Sequence, residues 1–142
     1  MQYENEMHVF FSAIPENESF SRILISGFLT QLDPTISEMA EIKTAVSEAV
    51  TNAIIHGYDD DNGKVELFCG YSNSVIYIEI ADKGKGIEDI SQAREPLYTS
   101  KPEMERSGMG FTIMETFMDA VRIESKIGKG TRIYMQKSLA KE

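Results

Sequence analysis

Residues 41–58 read EIKTAVSEAVTNAIIHGY, and this stretch carries the longest helical pattern of the chain. Its apolar residues recur at about 100° per residue, the period of an α-helix with one buried face. Glu48, Asn52 and His56 follow each other at intervals of four, so they stack in one row beside that face. Such a row is usually only solvated, but an acid, a carboxamide and an imidazole beside a buried face can also point into a cleft. The predicted apolar stripe is Met39, Ile42, Val46, Val50 and Ala53.

Turn signals bound this helix and place a shorter one before it. In the loop LDPT, Asp33 is predicted as the N-cap and Pro34 as the first helical residue. Gly57 and the turn DDDNG that follows predict the end of the helix. Upstream, cap-forming residues at 17–19 predict the start of the shorter helix. Its predicted apolar face consists of Phe20, Ile23, Leu24, Gly27 and Phe28.

Strand signals occur before and after these helices. The sequence predicts one isolated strand and two hairpins. The signals are aromatic and β-branched residues, the alternation of apolar and polar residues, and turn residues between the segments. A helix over about 110–119 precedes the last hairpin, and a short helix is possible near 88–94. The order β-α-α-β-β-loop-α-β-β predicts an α+β fold, a two-layer sandwich with helices on one face of a mostly antiparallel sheet. The strand segments are HVFFSAI (8–14), KVELFCGY (64–71), SVIYIEIAD (74–82), AVRIESK (120–126) and TRIYMQKS (131–138), with the first hairpin turning around Ser72–Asn73.

The composition is that of a soluble domain with a strong acidic balance. The chain has 142 residues, which predicts one domain over 1–142, and its 14 Lys and Arg against 23 Asp and Glu give a net charge of −9. No basic stripe is visible, so direct nucleic-acid binding is not expected. No apolar run approaches the ~18 residues that cross a bilayer, and the acidic start MQYENEMH is not a signal peptide, so the cytoplasm is the expected location. Alternation makes the single cysteine, Cys69, a buried strand residue rather than a nucleophile.

The stretch ADKGKGI (81–87) follows the end of an apolar strand. Asp82 therefore lies where a buried strand opens into a glycine-rich loop of the form D-x-G-x-G. Its carboxylate could cap that loop, or it could accept a hydrogen bond from an amino group at the bottom of a pocket. Gly84 and Gly86 would let a flat ring lie against the backbone.

A second glycine pattern, GMGFT (108–112), stands where the helical pattern over 110–119 begins. It can be a plain turn that leads into a helix. It can also be a backbone cradle for phosphate, because glycines permit close approach and a helix start offers free N–H groups. The phosphate-binding loop G-x-x-x-x-G-K-[ST] is absent, since GKGT (128–131) has the wrong spacing, and the alternation of a dinucleotide-binding fold is missing.

Three motifs occur in order along the chain: E-x-x-x-N on a helix, D-x-G-x-G after a strand and G-x-G before a helix. The ordered set is a more specific signal than any one of these motifs alone. It resembles the nucleotide-binding domain shared by histidine kinases, the Hsp90 chaperone, type II topoisomerases and the MutL repair protein. The segments SEAVTNAIIHGY, PLYTSKPEMERSGMGFTIME and GKGTRIYM further resemble the anti-sigma factors of spore-forming bacteria. The sigma-F regulators among them, which are serine kinases, match over essentially the whole chain.

This resemblance implies ATP and Mg²⁺ as cofactors and a role for each motif. Glu48 would be the general base or the residue that orients the substrate hydroxyl, and Asn52 would ligate Mg²⁺, a cation that prefers oxygen ligands. Asp82 would accept a hydrogen bond from the adenine amino group, assisted by Thr131, with Gly84 and Gly86 lining the base pocket.

The same resemblance assigns the residues around the second glycine pattern, GMGFT. Gly108, Met109 and Gly110 would donate backbone N–H groups to the phosphates at a helix start. Arg106 would stabilise charge on the transferring phosphoryl group, as a catalytic residue. Thr99, Lys101 and Ser107 are the further nucleotide-contacting residues implied in the segment between the two glycine patterns, although a lysine there can also be a solvated surface charge.

The resemblance also implies partners. It predicts sequestration of a sporulation sigma factor of the sigma-F type and phosphorylation of a serine on an anti-anti-sigma factor. A homodimer is implied, with residues 8–30 forming the dimer and partner surface and Arg22 as a candidate contact. Alternatives are a related anti-sigma B-type switch kinase, an ATP hydrolase in which Glu48 activates water, and a binding module gated by nucleotide. The short length argues against a chaperone-type hydrolase.

Overall fold

A computed structural model describes residues 2–57, 63–84, 86 and 110–140. It contains one mixed sheet-and-helix unit with the predicted order of elements. A 3₁₀ turn follows the first helix at Thr30–Leu32, and a π-helical turn at Ala53–Gly57 follows the second. The elements are β1 (Asn5–Ser12), α1 (Glu16–Leu29), α2 (Ile36–Asn52), β2 (Lys64–Ser72), β3 (Val75–Asp82), α3 (Gly110–Phe117), β4 (Ala120–Lys126) and β5 (Gly130–Ser138).

The sheet has five strands in the order β1-β2-β3-β5-β4, and every neighbouring pair is antiparallel. Strand alternation sends every second side chain towards the helices. On β3, Ile76, Ile78 and Ile80 are fully or almost fully buried on that face. α2 packs against β3, and α1 and α3 each pack against α2, so the helices form one layer on one face. The predicted two-layer α+β fold is confirmed.

The predicted apolar stripe of α2 is also observed. Ile42, Val46 and Val50 are fully buried, and Met39 is partly buried against the core. Cys69 is fully buried on β2, and burial raises the pKa of its thiol to about 12, so the thiolate is strongly disfavoured. This side chain is a small core residue, as the alternation predicted.

The predicted start of α2 is wrong by two residues. Thr35, not Asp33, is the N-cap: its hydroxyl accepts a hydrogen bond from the Glu38 N–H at 3.0 Å, and the Glu38 carboxylate accepts one from the Thr35 N–H at 2.8 Å. This reciprocal capping box satisfies two helix-end donors at once. Asp33 instead has a φ of 49° and ends the preceding 3₁₀ turn.

The predicted buried face of α1 is displaced by one residue. The buried positions are Ser21, Ile25 and Leu29, whereas Phe20 and Ile23 expose 42% and 68% of their surfaces. The hydroxyl of Ser21 donates to the Glu18 carbonyl oxygen at 2.6 Å. Because that bond satisfies the hydroxyl locally, a polar residue can occupy a position that the sequence pattern assigned to an apolar one.

The hairpin turns match the sequence signals closely. Asn73 and Ser74 both adopt positive φ, 53° and 64°, and they close the β2–β3 hairpin one residue later than predicted. None of the helices in the described ranges has the length and apolar character that crossing a membrane requires. The short helix considered near 88–94 lies outside the described residues.

Candidate functional site

Asp82 is the last residue of β3 and continues the buried row of isoleucines on the helix-facing side of the sheet. Only 8% of its surface is exposed. The carboxylate accepts a hydrogen bond from the Gly84 N–H at 2.9 Å. Burial raises the pKa of the Asp82 carboxyl, and hydrogen bonds from the backbone N–H groups of Gly84 and Thr131 lower it by a smaller amount. The charged Asp82 carboxylate at the edge of the core therefore lowers the stability of the folded chain.

Asp82 is one member of a polar row that crosses three adjacent strands. Thr131 on β5 is its direct cross-strand partner, and Ser125 on β4 is the direct partner of Thr131. Thr131 is 8% exposed, and its Oγ1 lies 2.8 Å from Ser125 Oγ. Ser125 Oγ also donates to the Gly130 carbonyl oxygen at 3.2 Å. The sequence reading missed Ser125, although its alternation within AVRIESK places it on the helix-facing side of β4.

Two glycines bring the loop after β3 against the turn between β4 and β5. Gly130 has a φ of 102°, and a Cβ on it would collide with the backbone of Asp82 and Lys83. Gly86 has a φ of 82°, and a Cβ on it would collide with the backbone of Lys126. Both positions thus require glycine for close backbone packing as well as for left-handed conformation. This packing fixes the approach of the D-x-G-x-G loop to the polar row.

Glu48 and Asn52 lie one turn apart near the end of α2, and both are partly buried. This part of the helix lies in the layer that covers the sheet, since α2 packs on β3 and α3. The α-helical geometry ends at Asn52, where the π-helical turn begins. The His56 side chain lies outside the described residues. The predicted row beside the apolar stripe is therefore present at Glu48 and Asn52.

The structure describes only part of the second glycine pattern, GMGFT. Gly110 is the first residue of α3, which agrees with the predicted helix start. α3 is anchored through Phe111 and Met114, which are 5% and 0% exposed. The other predicted contacts in this segment lie outside the described residues. They are Thr99, Lys101, Arg106, Ser107, Gly108 and Met109.

A cavity of about 600 Å³ crosses the opposite face of the sheet, from Phe10 on β1 to Glu124 on β4. Arg132 bridges Glu66 and Glu79 there, with N···O distances of 3.1 Å to each, and His8 Nε2 lies 2.7 Å from Glu66. Strand alternation places these side chains away from the helices. All three residues of the polar row, Asp82, Thr131 and Ser125, also line this cavity. Most of its other lining residues lie on the outer face, so the cavity as a whole differs from the predicted adenine pocket.

The comparisons with known proteins agree with this fold. A family model described as the histidine kinase-like ATPase domain matches residues 11–137. The chain therefore belongs to the histidine kinase-like ATPase domain family. An anti-sigma F factor of Geobacillus kaustophilus is 58% identical over 96% of this chain and 94% of its own length. One of Bacillus subtilis is 56% identical over 97% of this chain and 95% of its own length. Within the family, the chain belongs to the anti-sigma F factors.

Solved structures show the same fold at much lower identity. The RsbU and RsbW domains of Rv1364c from Mycobacterium tuberculosis align with a TM-score of 0.72 and 19% identity. That match covers 97% of this chain and 33% of the other. The catalytic domain of the histidine kinase ThkA aligns with a TM-score of 0.56 and 15% identity, over 96% of this chain and 99% of the other.

Proposed function

We propose that this protein is an ATP-dependent anti-sigma factor with protein serine kinase activity. The observation that carries the proposal is the polar row of Asp82, Thr131 and Ser125, in which the first two residues are buried and Ser125 is partly buried. The row places hydrogen-bonding groups at one end of an apolar core. A buried carboxylate whose charged form lowers the stability of the fold is typical of functional sites. Membership among the anti-sigma F factors supports the same reading.

Asp82 would recognise the adenine base. Its carboxylate accepts hydrogen bonds, so it suits the amino group of adenine and opposes the carbonyl oxygen that guanine carries in the same place. Leaving such buried polar groups unpaired costs about 1–3 kcal/mol. Gly84 and Gly86 support this pocket, because the loop that contains them packs on the β4–β5 turn.

Asn52 and Glu48 would serve the phosphate end of ATP. Both offer hard oxygen atoms on one partly buried helix face, and Mg²⁺ in nucleotide sites takes few protein ligands besides phosphate and water. No group of three or more His, Cys, Asp or Glu that could hold a metal occurs among the described residues. The donor set therefore fits Mg²⁺ shared with ATP, with Asn52 as the protein ligand. When bound, Mg²⁺ supplies positive charge that stabilises the transferring phosphoryl group.

Glu48 would act on the acceptor serine, as general base or by orienting its hydroxyl. Gly108, Met109 and Gly110 would donate backbone N–H groups to the phosphates at the start of α3. Arg106 would stabilise charge on the transferred group, with Thr99, Lys101 and Ser107 as further nucleotide contacts.

The proposed partners are a sporulation sigma factor, an anti-anti-sigma factor and a second copy of this chain. The segment 8–30 carries three of the exposed large apolar side chains among the described residues, since Phe10 is 61% exposed and Phe20 and Ile23 are also exposed. Arg22 lies on the same helix and pairs with Glu18 at 2.7 Å. Phe20 and Ile23 on α1 would supply the apolar part of the proposed interface, whereas Phe10 lies on the outer face of the sheet. We place the protein in the cytoplasm as a single domain over 1–142.

Labelled ATP tests the proposal. The protein is incubated with it alone, and then with a candidate anti-anti-sigma factor and with a variant of that protein that lacks the acceptor serine. Phosphoserine on the intact acceptor supports the kinase, free phosphate without an acceptor supports a hydrolase, and neither product despite ATP binding supports a nucleotide-gated binding module. Competition with GTP in the same assay tests the base assignment, and equal binding of both nucleotides removes Asp82 from the pocket.

A further inference from the structure

Lys137 is a lysine that the fold largely covers. It follows Ile133 and Met135 on the helix-facing side of β5, and only 12% of its side chain is exposed. Its ammonium group donates to the Phe117 carbonyl oxygen at 2.7 Å and lies 4.0 Å from the Glu41 carboxylate. Phe117 ends α3, and Glu41 is on α2. One side chain thus links the sheet to both helices that carry the candidate site.

The contact with Phe117 meets a requirement of α3. The last four carbonyl groups of a helix have no partner within the helix, and they carry partial negative charge that a cation stabilises. α3 has eight residues, so it depends on tertiary contacts to stay helical. A lysine is rarely covered to this extent unless it is paired. Lys137 therefore lies where a cation stabilises α3, at the end opposite the proposed phosphate contacts.

The residues on either side of Lys137 hold the chain just after α3. The Asp119 N–H donates to the Gln136 carbonyl oxygen at 2.8 Å, and the Asp119 carboxylate accepts from the Ser138 N–H at 2.7 Å. Three consecutive residues of β5 thus each make one hydrogen bond to residues 117–119. Of these three bonds, only the one from Lys137 reaches α3 itself.

Apolar contacts constrain α3 in a different way. Phe111 and Met114 bury their side chains in the core, and such burial is non-directional, so it opposes sliding of the helix less than a hydrogen bond does. A helix of this length spans about 12 Å and moves as a unit, so a shift of its last turn is also a shift of its first turn. A misplacement of about 1 Å at a reacting group can change a rate by about 100-fold.

We propose that Lys137 is a positioning residue for the phosphate end of the nucleotide site. By holding the last turn of α3, it sets where the N–H groups of the first turn lie relative to the phosphates of ATP. This inference rests on the proposed ATP site. It predicts that loss of the ammonium group affects the phosphates of the ligand and leaves recognition of the base unchanged.

The test compares ATP with adenosine, which has the base and no phosphate, by calorimetric measurement of Kd in the presence of Mg²⁺. The wild-type protein should bind ATP at least about tenfold more tightly than adenosine. Lys137→Met keeps the length and the apolar stem but has no donor. It should weaken ATP by about tenfold and change adenosine affinity by less than about twofold. Lys137→Gln, which is polar but too short to reach Phe117, should show the same loss.

Two control variants separate positioning from other effects. Cys69→Ala removes buried volume on β2 and should lower the melting temperature, but the ratio of adenosine Kd to ATP Kd should stay at the wild-type value. Glu41→Gln removes the charge beside Lys137 and leaves the bond to Phe117, so it should also keep that ratio within about twofold. Thermal melting of every variant without nucleotide reports the structural effect separately.

The inference is overturned if folded Lys137→Met or Lys137→Gln keeps the wild-type ratio of the two dissociation constants. An equal loss of ATP and adenosine binding also overturns it, because Lys137 would then only stabilise the fold, and so does a Glu41→Gln variant that loses the ratio to the same extent. A wild-type protein that is folded and binds neither ligand rejects the proposed function, and the inference falls with it. Normal preference of the wild type for ATP without an effect of Lys137 rejects the inference alone.

Discussion

Asp82 and Thr131 lie directly opposite each other on β3 and β5, and each exposes only 8% of its surface. The next residues on the same face of their own strands, Ile80 and Ile133, belong to the apolar core, so this pair ends the core at one end of the sheet. Burial of Asp82 raises the pKa of its carboxyl, which means that the charged form destabilises the folded chain. A protein that keeps such a group uses it for something other than stability. This pair is therefore the part of the site where function and stability oppose each other.

Replacing Asp82 with Asn should separate these two effects. The amide removes the cost of a buried charge, so thermal stability without nucleotide at neutral pH should stay equal or rise. ATP affinity should fall by about tenfold or more, because the adenine amino group loses a charged acceptor. Melting and calorimetry on the same samples measure both quantities. Reduced stability together with normal ATP binding would contradict the assignment.

The same variant gives a pH dependence of known sign. Since the pKa of Asp82 is raised in the folded chain, the folded state holds the proton more tightly than the unfolded state. Stability of the wild type relative to Asp82→Asn should therefore be highest below the ordinary pKa of about 4 and fall as pH rises through the raised folded value. Denaturant unfolding of both proteins over that range measures the difference. A difference that grows with pH would contradict the raised pKa.

Glu48→Gln tests the proposed base. The substitution keeps size and one acceptor but cannot take a proton. Serine phosphorylation at saturating ATP should slow by about 100-fold or more, while ATP binding and sigma-factor binding persist. Because phosphoryl transfer is partly dissociative, orientation of the hydroxyl contributes as well, and the effect should lie near the lower end of the range for general bases. A rate within about tenfold of the wild type would exclude Glu48 as the base.

Asn52→Ala tests the metal ligand. Asn52 is partly buried and lies off the apolar stripe of α2, so its loss should change melting temperature little. The Mg²⁺-dependent part of ATP affinity should be lost, and ATP binding measured in chelator should stay close to that of the wild type. The matched control is Thr51→Ala on the neighbouring position of the same helix. Collapse of thermal stability with normal Mg²⁺ dependence would make Asn52 a structural residue.

Gly130→Ala tests the packing of the base loop against the β4–β5 turn. A Cβ there meets the backbone of Asp82 and Lys83, and φ is 102°, so we expect destabilisation of about 3 kcal/mol or more and loss of ATP binding. Gly128→Ala is the control, because φ is 80° and no atom lies within 4 Å of the added Cβ. The control should cost only about 1–2 kcal/mol, from φ alone. Equal effects of both variants on denaturant unfolding would contradict the contact.

Much of the fold could be predicted because its signals are local. The alternation in 64–82 and 120–138 predicted both hairpins within a residue or two, and the spacing of Ile42, Val46 and Val50 predicted the buried face of α2. The errors arose where two local signals compete. Asp33–Pro34 resembles a helix start. The T-x-x-E pattern from Thr35 satisfies two backbone N–H donors, however, so Thr35 is the N-cap of α2.

The candidate site was harder to predict, because its members meet through non-local pairing. The motif around Asp82 was visible, and Thr131 could be added only by resemblance. Ser125 was missed since its place beside Thr131 and Asp82 depends on the register between β4 and β5 and between β5 and β3, which no short pattern encodes. The motif assigned Gly86 to base binding. The close approach of Gly86 to the Lys126 backbone depends on tertiary packing, so the motif could not predict it.

The strand order β1-β2-β3-β5-β4 also has a consequence for how the chain folds. Two hairpins close over short loops, but β3 joins β5 only across the long segment between residues 82 and 131, and such pairings form slowly because loop closure costs entropy first. Asp82 and Thr131 meet only in that step, so an incompletely folded chain lacks the proposed base pocket. We expect ATP to act as a selective ligand for completed molecules, and its cellular concentration to set how long newly made chains withstand proteolysis.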